Sequence, residues 1–304
     1  MGVMRISALL CVLGLLLPLL SHFLAGSNNA LSWLIDLASH WQWIFLFGLV
    51  ICVSVTVWSS MRWAVLLLAV PLPWLTASAH APASEKTGGL LKVASINVNL
   101  SNRDIQPLAA WLSKEQVDVA VVLEVSQEYA SRLQALPEYP FKRIVPDDGP
   151  FGIALISRHP LLRSEVIHDA DGIAHIEARL KWQERVISFV AMHPMPPLSP
   201  HYHAVRDGKL RALADAAVAS GIPTVLAGDF NATPWSSAFS GLAERGVHRA
   251  TGLAASWPAK MKGILGIPID HVLVTSQWAV ATSQTGPDLG SDHLPVLVGL
   301  SLGD

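Results

Sequence analysis

The chain has 304 residues, of which 51% are hydrophobic and only 14% charged, with a mean hydropathy of +0.42 and a formal net charge of −2. That balance is too apolar for an ordinary soluble domain, and it lacks the basic excess of a protein that grips a long nucleic-acid backbone. Residues 1–84 contain Arg5, Arg62 and Asp36 as their only charged side chains, leaving 19 of the 21 basic and 22 of the 23 acidic groups, net −3, in a remainder of normal soluble composition.

Three apolar runs fill the N-terminal part: Ile6 to Leu24, Trp43 to Trp58 and, after the Ser59-Ser60-Met61-Arg62 break, Trp63 to Leu75. The first is long enough to span a bilayer. The other two are shorter and are extended by Trp41, Trp43, Trp58, Trp63 and Trp74 as interfacial anchors. A basic start and an apolar centre also give Met1–Gly26 the look of a signal peptide, and Ala77-Ser78-Ala79 resembles a small-residue cleavage site. Two further apolar segments favour a membrane module over residues 1–80 with about three transmembrane helices, a partner lipid bilayer and a plasma (inner) membrane location. Both cysteines, Cys11 and Cys52, lie in the apolar runs, so the rest of the chain carries no redox signal.

The connection from Gly26 to Gln42 has no Lys or Arg, whereas Arg5 and Arg62 flank the runs. The positive-inside rule then puts both arginines in the cytoplasm, and three crossings place the remainder outside. Lys86 and Lys92 oppose this weakly. A re-entrant third segment, which contains Pro71 and Pro73, would reverse it. Residues 81–90, rich in Ala, Pro, Ser and Gly, read as a linker.

From residue 91 strands and helices alternate. Lys92 to Val98 is a buried strand ending at polar Asn97 and Asn99, and Ile105 to Glu115 is a helix with Leu108, Trp111 and Leu112 on one face. Asp118 to Glu124 is a second buried strand. Ser126 caps a helix to Leu136. Short gaps then predict an antiparallel meander of three or four strands: Phe141–Val145, Ile153–Ser157, Ile173–Trp182 and Val186–Met192. Prolines stop the last of these just after His193.

A helix over Ala204–Ala219 leads into the apolar run Pro223 to Ala227, which stops at Gly228-Asp229-Phe230-Asn231. Asp229 and Asn231 are two apart and so point the same way on an extended chain, where they can hold a water or a hydrated cation. The same pair also reads as an Asx-rich turn capping its own backbone. A short helix near Ser236–Leu242 and an irregular stretch to Gly266 follow. The chain closes with Ile267 to Val274, carrying Asp270 and His271, and Gly290 to Val298, carrying Asp292 and His293. Two runs of strands, each with helices, pack most economically as two sheets face to face with helices outside, an α/β sandwich.

Asn97, Glu124, His193, Asp229 with Asn231, and Asp292 with His293 sit at strand ends, and Asp270 lies beside another, which suggests one shared rim. Individually, Glu124 also reads as a helix cap, His193 as a satisfied core histidine and Asp292 as a turn residue. His159, His168, His175, His201, His203 and His248 read as structural or surface groups.

Ser95-Ile-Asn97, Leu123-Glu124-Val, Gly152-Ile-Ala-Leu-Ile-Ser157-Arg158, His193-Pro, Gly228-Asp229-Phe230-Asn231, Ile269-Asp270-His271 and Ser291-Asp292-His293-Leu-Pro occur in an order that resembles the endonuclease/exonuclease/phosphatase superfamily, with its DNase I-like fold. The resemblance runs from about Leu91 to Gly303 and is to the membrane-anchored bacterial branch. It implies a four-layered α/β sandwich with two mixed β-sheets, N-terminal transmembrane helices, and a catalytic domain over 91–304 that hydrolyses phosphate esters with Mg²⁺, Mn²⁺ being a possible substitute. Glu124 then corresponds to the direct metal ligand, Asn97 to the amide beside it and Asp292 to the acid opposite, a hard-oxygen set suited to Mg²⁺. Asp229 corresponds to the group that positions or deprotonates water, with Asn231 orienting it. His293 corresponds to the phosphate-contacting histidine, Asp270 to the acid that fixes its tautomer, and His193 to the second histidine.

Tyr129, Tyr139 and Tyr202 do not fit the tyrosine position of abasic-site nucleases in this superfamily, and the soluble part has no Lys/Arg-rich run. The sequence therefore predicts a membrane-anchored phosphoesterase, most simply a phosphodiesterase. An extracytoplasmic nuclease, a phospholipid or inositol-phosphate phosphatase and an inactive binding module are the alternatives. None of the site residues is lost, which disfavours the last.

Overall fold

The computed structural model describes residues 2–55, 61–86, 89–260 and 265–303. They form two compact units: Met1–Ser78 with Pro196–Gly208 and Ala232–Ser240, and Ala79–Met195 with Lys209–Asn231 and Gly241–Asp304.

The first unit opens with helices α1 (Gly2–Phe23), α2 (Ala30–Ser39), α3 (Gln42–Val55), α4 (Met61–Ala69) and α5 (Leu72–Thr76). Only α1, over Val3–Phe23 with mean hydropathy 2.3, is long and apolar enough to cross a membrane unaided among the described residues. Its apolar face is mostly uncovered, with Leu9, Leu10 and Leu19 more than half exposed, unlike the core helix of a soluble protein. The length and apolarity fit a membrane anchor or a signal sequence. The expected three spans thus reduce to this one helix, a bent pair α2–α3 with a 63° break, and a shorter apolar stretch over Trp63–Thr76.

Helix α2 falls where the sequence suggests only a connection. It starts at Asn29, whose side chain accepts the Ser32 N–H at 3.0 Å. Ala8 and Leu15 of α1 share an apolar core with Leu49, Cys52 and Val53 of α3 and Ala69 of α4. Trp43 and Trp74, expected at a membrane interface, meet edge-on at 5.1 Å, and Trp43 also meets Trp235 at 5.6 Å. Trp58, Ser59 and Ser60 lie outside the described residues.

Among the described residues the second unit holds twelve strands and two α-helices of its own: β1 (Leu91–Asn97), α6 (Gln106–Glu115), β2 (Val119–Leu123), α7 (Gln127–Gln134), β3 (Phe141–Val145), β4 (Ile153–Ser157), β5 (Leu161–His168), β6 (Ala174–Trp182), β7 (Arg185–Met192), β8 (Thr224–Asp229), β9 (Val247–Arg249), β10 (Asp270–Thr275), β11 (Trp278–Thr285) and β12 (Val296–Leu302). The long helix α8 (Pro200–Ala219) joins β7 to β8. Two mixed six-stranded sheets result, ordered β11-β12-β1-β2-β4-β3 and β5-β6-β7-β8-β10-β9. Each contains one parallel pair bridged by a crossover helix: β1–β2 by α6 and β7–β8 by α8.

The period of two in β1 and β2 sets the layers. Val93, Val119 and Val121 face the other sheet, packing with Phe189, Val225 and Val272, while Ala94, Ile96, Ala120 and Val122 turn outward onto Leu108, Trp111 and Leu112 of α6 and Tyr129 and Leu133 of α7. The architecture is the α/β sandwich expected from the sequence.

Three local readings need correction. The predicted meander is a β3–β4 hairpin in the first sheet followed by β5–β6–β7 in the second, because the three residues Arg158 to Pro160 let the chain change sheets. Helix α8 begins four residues early, since Ser199 Oγ accepts the Tyr202 N–H at 3.2 Å and Pro200 suits a first helical turn. The helix expected over 236–242 is a single 3₁₀ turn, Ser237–Phe239.

Candidate active site

Asn97 ends β1, Glu124 follows β2, His193 follows β7 and Asp229 ends β8, while Asp270 opens β10 and Asp292 and His293 precede β12. Because β10 and β12 run antiparallel to their neighbours, their beginnings share an edge with the ends of the others; Asp270 is paired directly with Asp229. These seven predicted residues thereby reach one rim, and Asn231 lies two positions beyond Asp229.

Asn97, 1% exposed, ties the two sheets together. Its Nδ2 donates to Glu124 Oε1 at 2.9 Å and to Asp229 Oδ2 at 3.3 Å. The Leu100 N–H donates to Glu124 Oε2 at 2.8 Å. Asp229 Oδ1 accepts the Asn231 N–H at 2.9 Å, and Asn231 Nδ2 donates to the Pro194 carbonyl at 3.0 Å. The Asx-turn reading of this pair is therefore satisfied, yet Asp229 still aims its second oxygen at the rim. Asn99, Glu124 and Asn231 have φ of 65°, 59° and 49°, a left-handed backbone that side chains other than glycine adopt mainly where surrounding structure imposes it. Gly228 is required by close approach: a Cβ there would fall 1.8 Å from the Met192 carbonyl of the parallel partner strand.

The histidines bracket Asp229. His293 Nδ1 lies 2.8 Å from Asp270 Oδ2 and its Nε2 3.7 Å from Asp229 Oδ2; His193 Nε2 lies 3.6 Å from the same oxygen. Burial opposes a charged His293, but the carboxylates of Asp270 first, then Asp229 and Asp292, outweigh it and lift its pKa to about 10. Burial raises the Asp270 pKa, with Asp229 adding to the effect. Asp292 is held below the usual carboxylate range: burial works against this, but the Asn99 hydrogen bond, the His293 charge and Trp257 prevail.

Asp292 joins the rim through a residue the sequence lists only as polar. Asn99 Nδ2 donates to Asp292 Oδ1 at 2.7 Å, and the Asn99 N–H donates to Asn97 Oδ1 at 3.0 Å. Two other supports have no sequence signal: Trp257 Nε1 donates to Asp292 Oδ2 at 3.2 Å, and Ser256 Oγ accepts the N–H groups of Ile269 and Asp270 at 3.1 Å. His271, beside Asp270, is buried and turned to Thr251 Oγ1 at 2.9 Å and the Pro268 carbonyl at 3.0 Å, away from the rim chemistry.

The donor set fits a hard divalent cation. Among the described residues neither Glu124 nor Asp292 has a Lys or Arg partner, and their direct donors are neutral amides and the Trp257 indole, so the rim's carboxylates outnumber the one imidazolium, His293, beside them. Asp229, Asp270 and His293 also bring three potential ligand atoms within 4.8 Å of one another. The short Asp270–His293 bond occupies that group internally, which leaves Glu124 and Asp292 as the more open carboxylates.

No curated protein matches the chain. Solved structures share its fold at low identity. An endonuclease/exonuclease/phosphatase from Beutenbergia cavernae is 21% identical over 70% of this chain and 72% of that one, with a TM-score of 0.59. D. rerio TDP2 complexed with single-strand DNA product is 16% identical over 70% and 99%, TM-score 0.58. The mannosyl-6-phosphatase Bt3783 of Bacteroides thetaiotaomicron is 16% identical over 70% and 100%, TM-score 0.56. Residues 94–293 match the Endonuclease/Exonuclease/phosphatase family, and with two-thirds of its length and the whole rim inside that match the chain belongs to this family.

Proposed function

We propose that the protein is a membrane-anchored, Mg²⁺-dependent phosphodiesterase that hydrolyses its substrate by attack of water, a reading carried by the cation-poor carboxylate rim flanked by two histidines. Glu124, Asn97 and Asp292 are the residues that would hold the cation. When bound, it neutralises charge on the phosphoryl oxygens and polarises the ester. Asp229 Oδ2, fixed by Asn97, takes the proton of the attacking water, and Asn231 keeps the carboxylate oriented. His293, protonated and locked by Asp270, donates through Nε2 to a phosphoryl or leaving oxygen, and His193 offers a second hydrogen bond from its own side. A new P–O bond forms as the P–O bond to the leaving alkoxide breaks, and the alkoxide is protonated.

The neighbours support phosphate esters as a class, since they include a phosphatase and a protein solved with a DNA product. Nuclease action on extracytoplasmic nucleic acid and phosphatase action on lipid or inositol headgroups are the alternatives. The net charge of −3 beyond residue 84 favours a small or lipid-borne diester over a duplex. Full-length protein in detergent, assayed on bis(4-nitrophenyl) phosphate, a phosphate monoester, single-stranded DNA and phospholipid vesicles, with Mg²⁺, Ca²⁺ or EDTA, tests the reading. Hydrolysis that survives excess chelator would sink it.

Anchoring through residues 1–80 and a catalytic domain over 91–304 held outside the cytoplasm belong to the same proposal. The core that α1 shares with α3 and α4 supports retention of α1 over its removal as a signal. The 2.8 Å pair between Asp36 and Arg206 supports residues 36 and 206 lying on one side of a bilayer, with an even number of crossings between them. Spans through α3 and back through α4–α5 meet that parity, whereas a re-entrant third segment after a spanning α3 does not. An alkaline phosphatase fusion after Glu85 should be active and a green fluorescent protein fusion dark; the reverse pattern rejects the outside placement.

A further inference from the structure

Within the first unit lies a second cluster of buried charge, centred on Asp36 of α2, which is 0% exposed. Its Oδ2 accepts from Arg206 Nη2 at 2.8 Å and Ser236 Oγ at 3.1 Å; its Oδ1 accepts from the Ser237 N–H at 2.7 Å and Ser21 Oγ at 2.9 Å. Arg206 is shared with Asp207 at 2.8 Å, and His40 and His203 place Nε2 atoms 3.5 and 3.4 Å from Asp36. Hydrophobic groups of equal volume often fill such a place at no loss of stability, which points to a fixed register between the segments it joins as what this cluster supplies.

We infer that Asp36 is a positioning residue for the hydrolysis proposed above, so that the N-terminal helices are a working part of the enzyme. The segment it grips, Ala232–Ser240, continues directly from Asp229-Phe230-Asn231 and has one 3₁₀ turn as its only regular structure. The segment is held instead by side chains of residues 36–40, which bond its backbone, and by the α5 carbonyl that its Trp235 side chain reaches. Asp36 receives the Ser237 N–H, His40 Nδ1 accepts the Thr233 N–H at 3.2 Å, Ser39 Oγ donates to the Trp235 carbonyl at 3.2 Å, and Trp235 Nε1 donates to the Pro73 carbonyl at 2.7 Å. Asn231, at φ 49°, is the last residue before this segment, and its N–H fixes the Asp229 carboxylate. Loosening Thr233 to Ser237 therefore loosens the geometry of the base by way of the peptide chain, and small misplacements of a reacting group are expensive in rate.

The test uses full-length protein in detergent, comparing wild type with the isosteric Asp36→Asn and with Ser236→Ala, which leaves every charge in place. For Asp36→Asn, kcat on bis(4-nitrophenyl) phosphate should fall about tenfold to a hundredfold with KM little changed and the midpoint of thermal unfolding lowered but still above the assay temperature; for Ser236→Ala it should fall about threefold. Hydrogen exchange should accelerate at residues 229–237 in Asp36→Asn and stay as in wild type across β1 and β2. A kcat within twofold of wild type, or a loss confined to KM, overturns the inference, as does unchanged exchange at 229–237. If wild type shows no metal-dependent hydrolysis at all, the proposed function fails while the exchange measurement still decides the role of Asp36.

Discussion

Arg206 lies between Asp36 and Asp207, whereas Glu124, Asp229 and Asp292 have no Lys or Arg partner among the described residues. Both clusters gather acidic groups with histidines and neutral donors in sheltered places, yet Asp36 and Asp207 share an arginine, whereas Glu124, Asp229, Asp270 and Asp292 at the rim have one imidazolium, His293, among the four of them. Burying a carboxylate without compensation is unfavourable, so a cluster closed by its own arginine suits a fastening, and one with surplus carboxylate charge suits the cation proposed for it. The difference is one of charge balance, since both clusters are rich in hydrogen bonds.

The largest effect expected follows from removing a rim carboxylate. Glu124→Gln should lower turnover by about a thousandfold or more, with metal-free thermal stability unchanged or higher because repulsion is relieved, as steady-state kinetics and an unfolding scan would show. Removing the internal cation should do the opposite. Arg206→Met deprives Asp36 and Asp207 of the cation they share and should destabilise the protein by about 3–5 kcal/mol, read from chemical or thermal unfolding. Saturating Mg²⁺ sharpens the contrast: at about a hundred times its dissociation constant it should stabilise wild type by about 2.7 kcal/mol, and the gain should vanish in Glu124→Gln but persist in Asp36→Asn. Asp270→Asn, which leaves His293 in place without its anion, should slow turnover by about tenfold to a hundredfold. Trp257→Phe removes one donor from Asp292 and should change activity only severalfold, about 1 kcal/mol in the barrier.

The rim was legible because each of its residues interrupts an apolar strand, so Asn97, Glu124, His193 and Asp229 stand out against buried neighbours. Strands β1 to β4 and β8 could be read for the same reason. Strand β5 could not: it alternates weakly, is largely exposed, and stands at a sheet edge where packing does not dictate its residues. Strand β9 spans three residues and β11 ends in Thr282 to Thr285, too short or too polar for a periodic signal. Asn99, Ser256 and Trp257 serve the site through single hydrogen bonds whose partners come from distant sequence. Asp36 was visible as the one acid among apolar runs, but its partner lies 170 positions away and nothing local announces it.

The Ala77-Ser78-Ala79 triplet looks like a peptidase site, but a peptidase reads an extended, unoccupied backbone. In the folded chain the Ser78 N–H donates to the Pro234 carbonyl at 2.8 Å, the Ala79 carbonyl accepts the Arg249 N–H at 3.0 Å, and the Ala81 N–H donates back to the Arg249 carbonyl at 2.8 Å. His80 and Ala83 continue the pairing as isolated bridges to Arg249 and Val280. Cleavage at this triplet is thus a race against folding. A folded molecule presents no free backbone at this stretch, so a cut there has to be made before these few ladder bonds close.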